Sequence, residues 1–79
     1  MTVKDGVKTM LLSRGWSQRK LANRLGLSSQ GTVAKALTRN EGMGMTVENL
    51  IKWADTLGYQ IILQSEEEDI ILDGEREGT

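Results

Sequence analysis

The side chains best suited to chemistry in this sequence are hydrogen-bond donors. The 79 residues include no Cys and no His, the side chains most often used as nucleophiles, as bases near neutral pH or as zinc ligands. We therefore expect no catalytic residues, no metal site and no cofactor, and a protein that is not an enzyme. Basic donors concentrate between Arg14 and Arg39, a stretch without a single carboxylate.

One group of donors has the spacing of a helix surface. If Val33 and Leu37 face inward, Gly31 and Lys35 lie on the opposite face of the same helix. Small residues on such a face allow close approach to the DNA major groove, where a few donors can bind base edges. The candidate DNA-binding residues are Gln18, Arg19, Ser28, Ser29, Gln30, Gly31, Thr32, Lys35 and Arg39.

These candidates divide into base contacts and phosphate contacts. Gln30 could bind adenine in bidentate fashion and Lys35 could donate to guanine, each pair contributing about 1 to 3 kcal/mol of discrimination. Gln18, Arg19 and the amides and hydroxyls of residues 28–29 could hold phosphates, which sets register more than sequence preference. The alternative is that these outward polar side chains are simply solvated.

Caps and apolar spacing predict four helices around this surface. The first runs from Val3 to about Arg14, the second begins after Ser17 and ends near Leu25, and a short turn separates it from the third. Residues 40–45 are predicted to be a loop. The predicted helix ends are Gly15, Gly26 and Gly58, and the predicted caps are Ser17, Ser28 or Ser29, and Thr46. The predicted buried stripe of the fourth helix is Val47, Leu50, Ile51, Ala54 and Leu57.

After Gly58 the chain changes to a strand pattern. Two apolar segments flank the acidic residues 65–69, which predicts a β-hairpin or two short strands. A lone two-stranded hairpin is marginal in water, so we expect it to pack on the helices or to pair across a dimer axis. The candidate dimerisation residues are Tyr59, Ile61, Ile62, Leu63, Ile70, Ile71 and Leu72.

Charge separates the body from the end of the chain. Residues 1–65 carry nine basic and four acidic side chains, a net +5, whereas residues 66–79 carry one basic and seven acidic side chains, a net −6. The overall charge of −1 therefore averages two opposite parts. A chain this short buries only about 60% of the surface that its unfolded form exposes, which favours a homodimer.

Between Ser17 and Leu37, the predicted second and third helices are joined by a short turn and carry Gln18, Ala22, Leu25, Gly26, Leu27, Gln30 and Val33. With these residues, the segment resembles the Cro/repressor-type (XRE-like) helix-turn-helix family. Residues 28–29 stand where the commonest family spacing has a single turn residue. The segment after Gly58 looks like the short C-terminal strands by which some small regulators and antitoxin-like relatives of the family dimerise.

The resemblance implies a mainly α protein with a four-helix lambda-repressor-like helix-turn-helix domain and a C-terminal β-hairpin or strand pair. We expect the DNA-binding domain in residues 1–58, the dimerising strand pair in residues 59–73 and an acidic disordered tail in residues 74–79. Its partner would be double-stranded DNA, bound by a homodimer as a sequence-specific transcriptional regulator, a repressor at a near-palindromic operator.

Two rival hypotheses stay open. The chain could be an antitoxin-like autoregulator whose hairpin and acidic tail bind a toxin or another basic protein partner. Alternatively, the helices could mediate protein contact only. The apolar runs are far shorter than the roughly 18 residues of a membrane span, and the beginning of the chain lacks the apolar stretch of a signal peptide. We therefore expect no membrane partner and a cytoplasmic location.

Overall fold

The structure is a computed structural model that describes residues 1–73. The acidic tail predicted at residues 74–79 lies outside the described residues. The expectation of a mainly helical chain with four α-helices and a C-terminal antiparallel strand pair is confirmed. In chain order the elements are α1 (Val3–Arg14), α2 (Gln18–Arg24), α3 (Gln30–Thr38), a 3-10 turn (Arg39–Gly42), α4 (Val47–Thr56), β1 (Ile61–Gln64) and β2 (Asp69–Leu72). No helix in residues 1–73 is long and apolar enough to cross a membrane.

Most helix ends are where local chemistry predicts them. The hydroxyl of Ser17 accepts from Lys20 N and that of Thr46 from Asn49 N, both at 3.1 Å, so each satisfies an amide in the first turn of its helix. Gly15 follows α1 with a φ of +71°, a left-handed conformation that glycine adopts at little cost. The predicted starts of α2 and α4 and the predicted end of α1 are therefore confirmed.

The beginning of α1 has a reciprocal cap that the sequence analysis missed. The hydroxyl of Thr2 accepts from Asp5 N at 3.3 Å, while the Asp5 carboxylate accepts from Thr2 N at 3.1 Å. The hydrogen bond from the Thr2 backbone, with a second from its side chain, lowers the pKa of Asp5 below its ordinary value.

All four helices contribute to one apolar core. The central side chains Leu21 and Val33 are fully buried. The predicted stripe of α4 is wrong at its first position, because Val47 is 61% exposed while Trp53 is buried. The buried face of α4 is centred on Trp53, Ala54 and Leu57, and Val47, the first residue of the helix, lies to one side of it. The core residues are Val7, Leu11, Leu21, Ala22, Val33, Leu37, Trp53 and Leu57.

The loop after α3 is more ordered than predicted. It starts with the 3-10 turn, in which Asn40, Glu41 and Gly42 all have positive φ angles. A left-handed conformation costs a non-glycine residue about 1 to 2 kcal/mol. A Cβ on Gly42 would lie 3.1 Å from both Lys4 N and Val3 Cγ1. The turn therefore packs directly against the beginning of α1, a contact that local sequence does not reveal.

The C-terminal strands form a hairpin with a defined register. Ile61 pairs with Leu72 and Gln64 with Asp69, and Ser65 N donates to Glu68 O at 2.9 Å to close the turn. The base of the hairpin lies near α4, where Ile61 and Leu72 are half-buried. The expectation of packing on the helices therefore holds only at the base. Four apolar side chains farther along remain about half exposed, namely Ile62, Leu63, Ile70 and Ile71.

Candidate nucleic-acid interface

A tight turn holds α3 against α2. Gly26 has a φ of +77°, and Leu27 N donates back to Ala22 O at 2.9 Å. On the inner side, Ala22 of α2 and Val33 of α3 are almost completely buried. Because both helices bury their inner faces in the same core, the opposite face of α3 is presented at a fixed orientation.

The outward face of α3 forms part of a concave surface, which we call the α3 depression. Lys35 provides a cation there, Thr32 a hydroxyl and Gly31 open space, and all three residues are exposed. Five of the nine predicted DNA-binding residues line the depression, so the structure brings these five together. The lining residues are Ser29, Gly31, Thr32, Lys35, Ala36 and Arg39.

The other four predicted residues lie outside this depression. Gln30 is the first residue of α3, and Ser28 precedes it in the turn; both are exposed. Gln18 and Arg19 begin α2, where Arg19 is exposed and Gln18 is half-buried. The structure thus places the predicted phosphate contacts at the beginnings of two helices, whose unpaired amides favour anions.

Ser29 differs in detail from its predicted role. It occupies the N-cap position of α3, but its hydroxyl makes no cap hydrogen bond. The Ser29 carbonyl instead accepts from Thr32 N at 3.3 Å. The prediction of a cap at Ser28 or Ser29 is therefore correct in position and wrong in its hydrogen bond.

Gly31 is not required by the packing of the protein itself. A Cβ added there would meet only Ser29 Oγ, at 3.5 Å, an ordinary van der Waals contact. The contrast is Gly42, where an added Cβ would press on backbone. The missing side chain at Gly31 therefore creates clearance on the outside of α3.

A second groove adjoins the α3 depression and was missed by the sequence analysis. It lies between α3 and the beginning of α4, where Thr46 and Asn49 add polar groups beside Arg39. Thr46 was recognisable as a helix cap, but its position beside α3 depends on how α4 packs. The two concave surfaces share Thr32, Ala36 and Arg39.

Not every basic side chain in the carboxylate-free stretch is available for a ligand. Arg14 Nε donates to Leu57 O at 2.7 Å, and Arg14 Nη2 donates to Gly58 O at 3.3 Å. The same guanidinium lies over the Tyr59 ring, 4.7 Å from its centroid. Arg14 therefore satisfies carbonyls at the end of α4 and ties the beginning of the hairpin to α1.

Two further cations stack on Trp16, which is half-buried just before α2. Lys20 Nζ lies 4.8 Å from the ring centroid and Arg24 Cζ lies 5.2 Å from it. Cation–π contacts of this kind contribute about 0.5 to 1 kcal/mol each at exposed sites. These contacts hold two positive charges along α2 and do not occupy the hydrogen-bond donors of Lys20 and Arg24.

In the hairpin turn, as elsewhere in residues 1–73, no group of three or more carboxylates is arranged to hold a metal ion. Glu66, Glu67 and Glu68 are all exposed. The turn is shaped instead by Ser65, whose hydroxyl accepts from Glu67 N and Glu68 N.

The chain matches no protein-family model, and neither curated proteins nor solved structures include a significant match to it.

Proposed function

We propose that the chain is a sequence-specific DNA-binding transcriptional regulator without enzymatic activity, a repressor that binds a near-palindromic operator as a homodimer. In this proposal α2 and α3 form a helix-turn-helix unit, and α3 is the recognition helix. The observation that carries it is the α3 depression, which combines open space at Gly31 with donors on Thr32, Lys35 and Arg39.

Dimensions and chemistry favour a duplex as the ligand. An α-helix with its side chains is about 10 to 12 Å across, and the major groove is about 12 Å wide. The helix backbone comes closest to the floor of that groove where its outer side chains are short. Gly31 and Ala34 meet this requirement, while Gln30 and Lys35 can reach base edges as donors.

Phosphates on either side of the groove would fix the position of the unit. Gln18 and Arg19 begin α2, and residues 28–29 immediately precede α3, so polar donors and backbone amides lie on both sides of the turn. The stretch between Arg14 and Arg39 contains no carboxylate that would repel the backbone. In a two-fold dimer, the two recognition helices would meet successive major grooves about 34 Å apart.

A pair of alanine variants tests the division between base and phosphate contacts. Gln30→Ala is expected to lower affinity for the cognate operator more than for random DNA, because it removes a base contact contributing about 1 to 3 kcal/mol. Arg19→Ala is expected to lower affinity for both duplexes by a similar factor, because it removes a phosphate contact. Fluorescence anisotropy with both duplexes measures the two ratios. Equal losses on cognate and random DNA from both variants would contradict the assignment.

The antitoxin-like function is retained as a second candidate because of one observation. The hairpin exposes Ile62, Leu63, Ile70 and Ile71 beside an acidic turn, a combination that could bind a basic protein with an apolar patch. A stoichiometric complex with a small basic protein encoded by an adjacent reading frame would favour this candidate. DNA binding by α3 would then serve autoregulation.

A further inference from the structure

The hairpin has two exposed edges to which a second copy could bind. Two-stranded sheets leave two free edges, and an unpaired edge of apolar residues is a template for another strand. The two edges here differ in charge. Strand β1 is flanked by Gln60 and Gln64, whereas β2 begins with Asp69 and is followed by Asp73.

Charge disfavours a dimer through β2. A symmetric antiparallel β2 pair centred on Ile71 would set Asp69 directly opposite Asp73 of the second copy, twice per dimer. Like charges directly opposite each other in a sheet are destabilising. The equivalent β1 pair centred on Ile62 sets Gln60 opposite Gln64, and their neutral amides can bond each other.

The backbone of β1 is oriented for this pairing. Ser65 N donates to Glu68 O, so residues 65 and 68 are a hydrogen-bonded pair. Hydrogen-bonded and non-hydrogen-bonded pairs alternate along an antiparallel ladder. Counting from residues 65 and 68, Ile62 and Ile71 are a non-hydrogen-bonded pair. The N–H and C=O of Ile62 therefore point away from β2. They are therefore directed at the free edge.

Symmetry and side-chain type select the register. In an antiparallel pair, directly opposite residues lie on the same face of the sheet. When the two strands are identical and related by a two-fold axis, one residue must therefore lie opposite its own copy. Centring on Ile62 places Ile61 opposite Leu63, so apolar residues meet apolar residues. Centring on Leu63 would instead place Ile62 opposite Gln64 and Ile61 opposite Ser65.

The same register brings opposite charges together. If the pairing continued past β1 to residues 59 and 65, it would set Ser65 of the second copy beside Tyr59 and bring the acidic turn that follows toward the side of the sheet where Arg14 lies. The Arg14 guanidinium already lies over the Tyr59 ring. Each acidic turn would thus lie near a cation of the other copy.

We propose that two copies of this chain pair through β1, antiparallel and centred on Ile62, to form a four-stranded sheet in the order β2, β1, β1 and β2. On one face, Ile71 and Ile62 of both copies then form a continuous apolar row. This inference specifies the homodimer on which the proposed function rests, and its test contains no DNA. A failed pairing and a failed DNA interaction are therefore measured separately.

Single-cysteine crosslinking tests the edge and the register, because the chain has no cysteine of its own. Ile62→Cys would bring two thiols to the axis at a Cα separation of about 5.5 Å, within disulfide reach. Leu63→Cys would separate the two Cα atoms by about 8 Å, and Ile71→Cys by about 14 Å across three strand spacings. The three native side chains are similarly exposed, at 47%, 53% and 48%, which matches the variants for local burial.

Under mild oxidation, we expect Ile62→Cys to form a covalent dimer rapidly and the other two variants to react only at the slow rate of random collision. Non-reducing electrophoresis measures the rates, and circular dichroism verifies that each variant keeps its helices. Faster crosslinking of Leu63→Cys would overturn the register, and faster crosslinking of Ile71→Cys would overturn the choice of edge. Equal rates for all three variants, or a monomeric mass for the unmodified chain by light scattering, would overturn the β1 dimer.

Discussion

Lys35→Glu is expected to reduce affinity for the operator by about thirtyfold or more. The substitution removes a cation from the α3 depression and puts a carboxylate where we propose that bases and phosphates approach. One lost base contact costs about 1 to 3 kcal/mol, a symmetric dimer loses two of them, and each 1.4 kcal/mol is a factor of ten. Fluorescence anisotropy with a labelled operator duplex measures the loss. Lys35 is exposed, so the fold should be unaffected.

Lys52→Glu is the matched control for that variant. Lys52 is also exposed but lies on α4, and both substitutions change the net charge by the same amount. Long-range electrostatics would therefore weaken DNA binding similarly in the two variants, and only the difference between them reports a local contact. If Lys52→Glu lowers affinity as much as Lys35→Glu does, α3 does not make the contact that we assign to it.

Leu21→Ala is expected to destabilise the fold by about 2 to 5 kcal/mol. Leu21 is fully buried in the middle of the core, so its truncation removes apolar burial and leaves a cavity. The total stability of a domain of this size is only of order 4 to 12 kcal/mol, and each kcal/mol lowers the Tm of a small domain by about 4 to 8 °C. Thermal unfolding followed by circular dichroism should show a loss of about 10 °C or more.

Leu12→Ala makes the same chemical change at a solvent-exposed site. Leu12 lies on α1 and is 83% exposed, so its truncation removes almost no buried surface, and Ala has the highest helix propensity. We expect its Tm to stay close to that of the unmodified chain. A similar loss of Tm in both variants would show that Leu12 is buried in solution, for example against another molecule.

The parts of the fold that could be predicted are those determined by neighbours in sequence. A serine or threonine cap and a glycine in the left-handed conformation need only a few adjacent residues, and Ser17, Thr46 and Gly15 have the predicted roles. The antiparallel pairing of β1 with β2 could be predicted for the same reason, because a short turn joins two apolar segments.

The features that were not predicted depend on contacts between distant residues. Val47 fits the apolar spacing of α4 but is 61% exposed, because the face of a helix that is buried depends on packing in the core and not on spacing alone. The left-handed turn at residues 40–42 depends on its contact with Val3 and Lys4. Arg14 is a basic residue in the carboxylate-free stretch, yet it binds carbonyls at the end of α4, 43 residues away.

In the candidate interface, too, the features set by neighbouring residues were predicted and those set by distant contacts were not. Helical spacing was enough to place Gly31 and Lys35 on one outward face with Thr32 beside them, because periodicity is a local property. The adjoining groove at Thr46 and Asn49 was missed because it exists only where α4 packs beside α3. The position of Ser29 in the sequence likewise did not determine its hydrogen bond. Its side chain can adopt more than one rotamer, and its hydroxyl does not cap α3.

Binding to DNA at two salt concentrations tests the central claim most directly. The measurement compares a labelled duplex from the region upstream of the chain's own reading frame with a random duplex, at about 50 and 200 mM salt. Our account predicts a preference for the upstream duplex of about a thousandfold or more, with affinity that falls steeply as salt increases. Absence of binding to either duplex, or equal affinity for both, would contradict it.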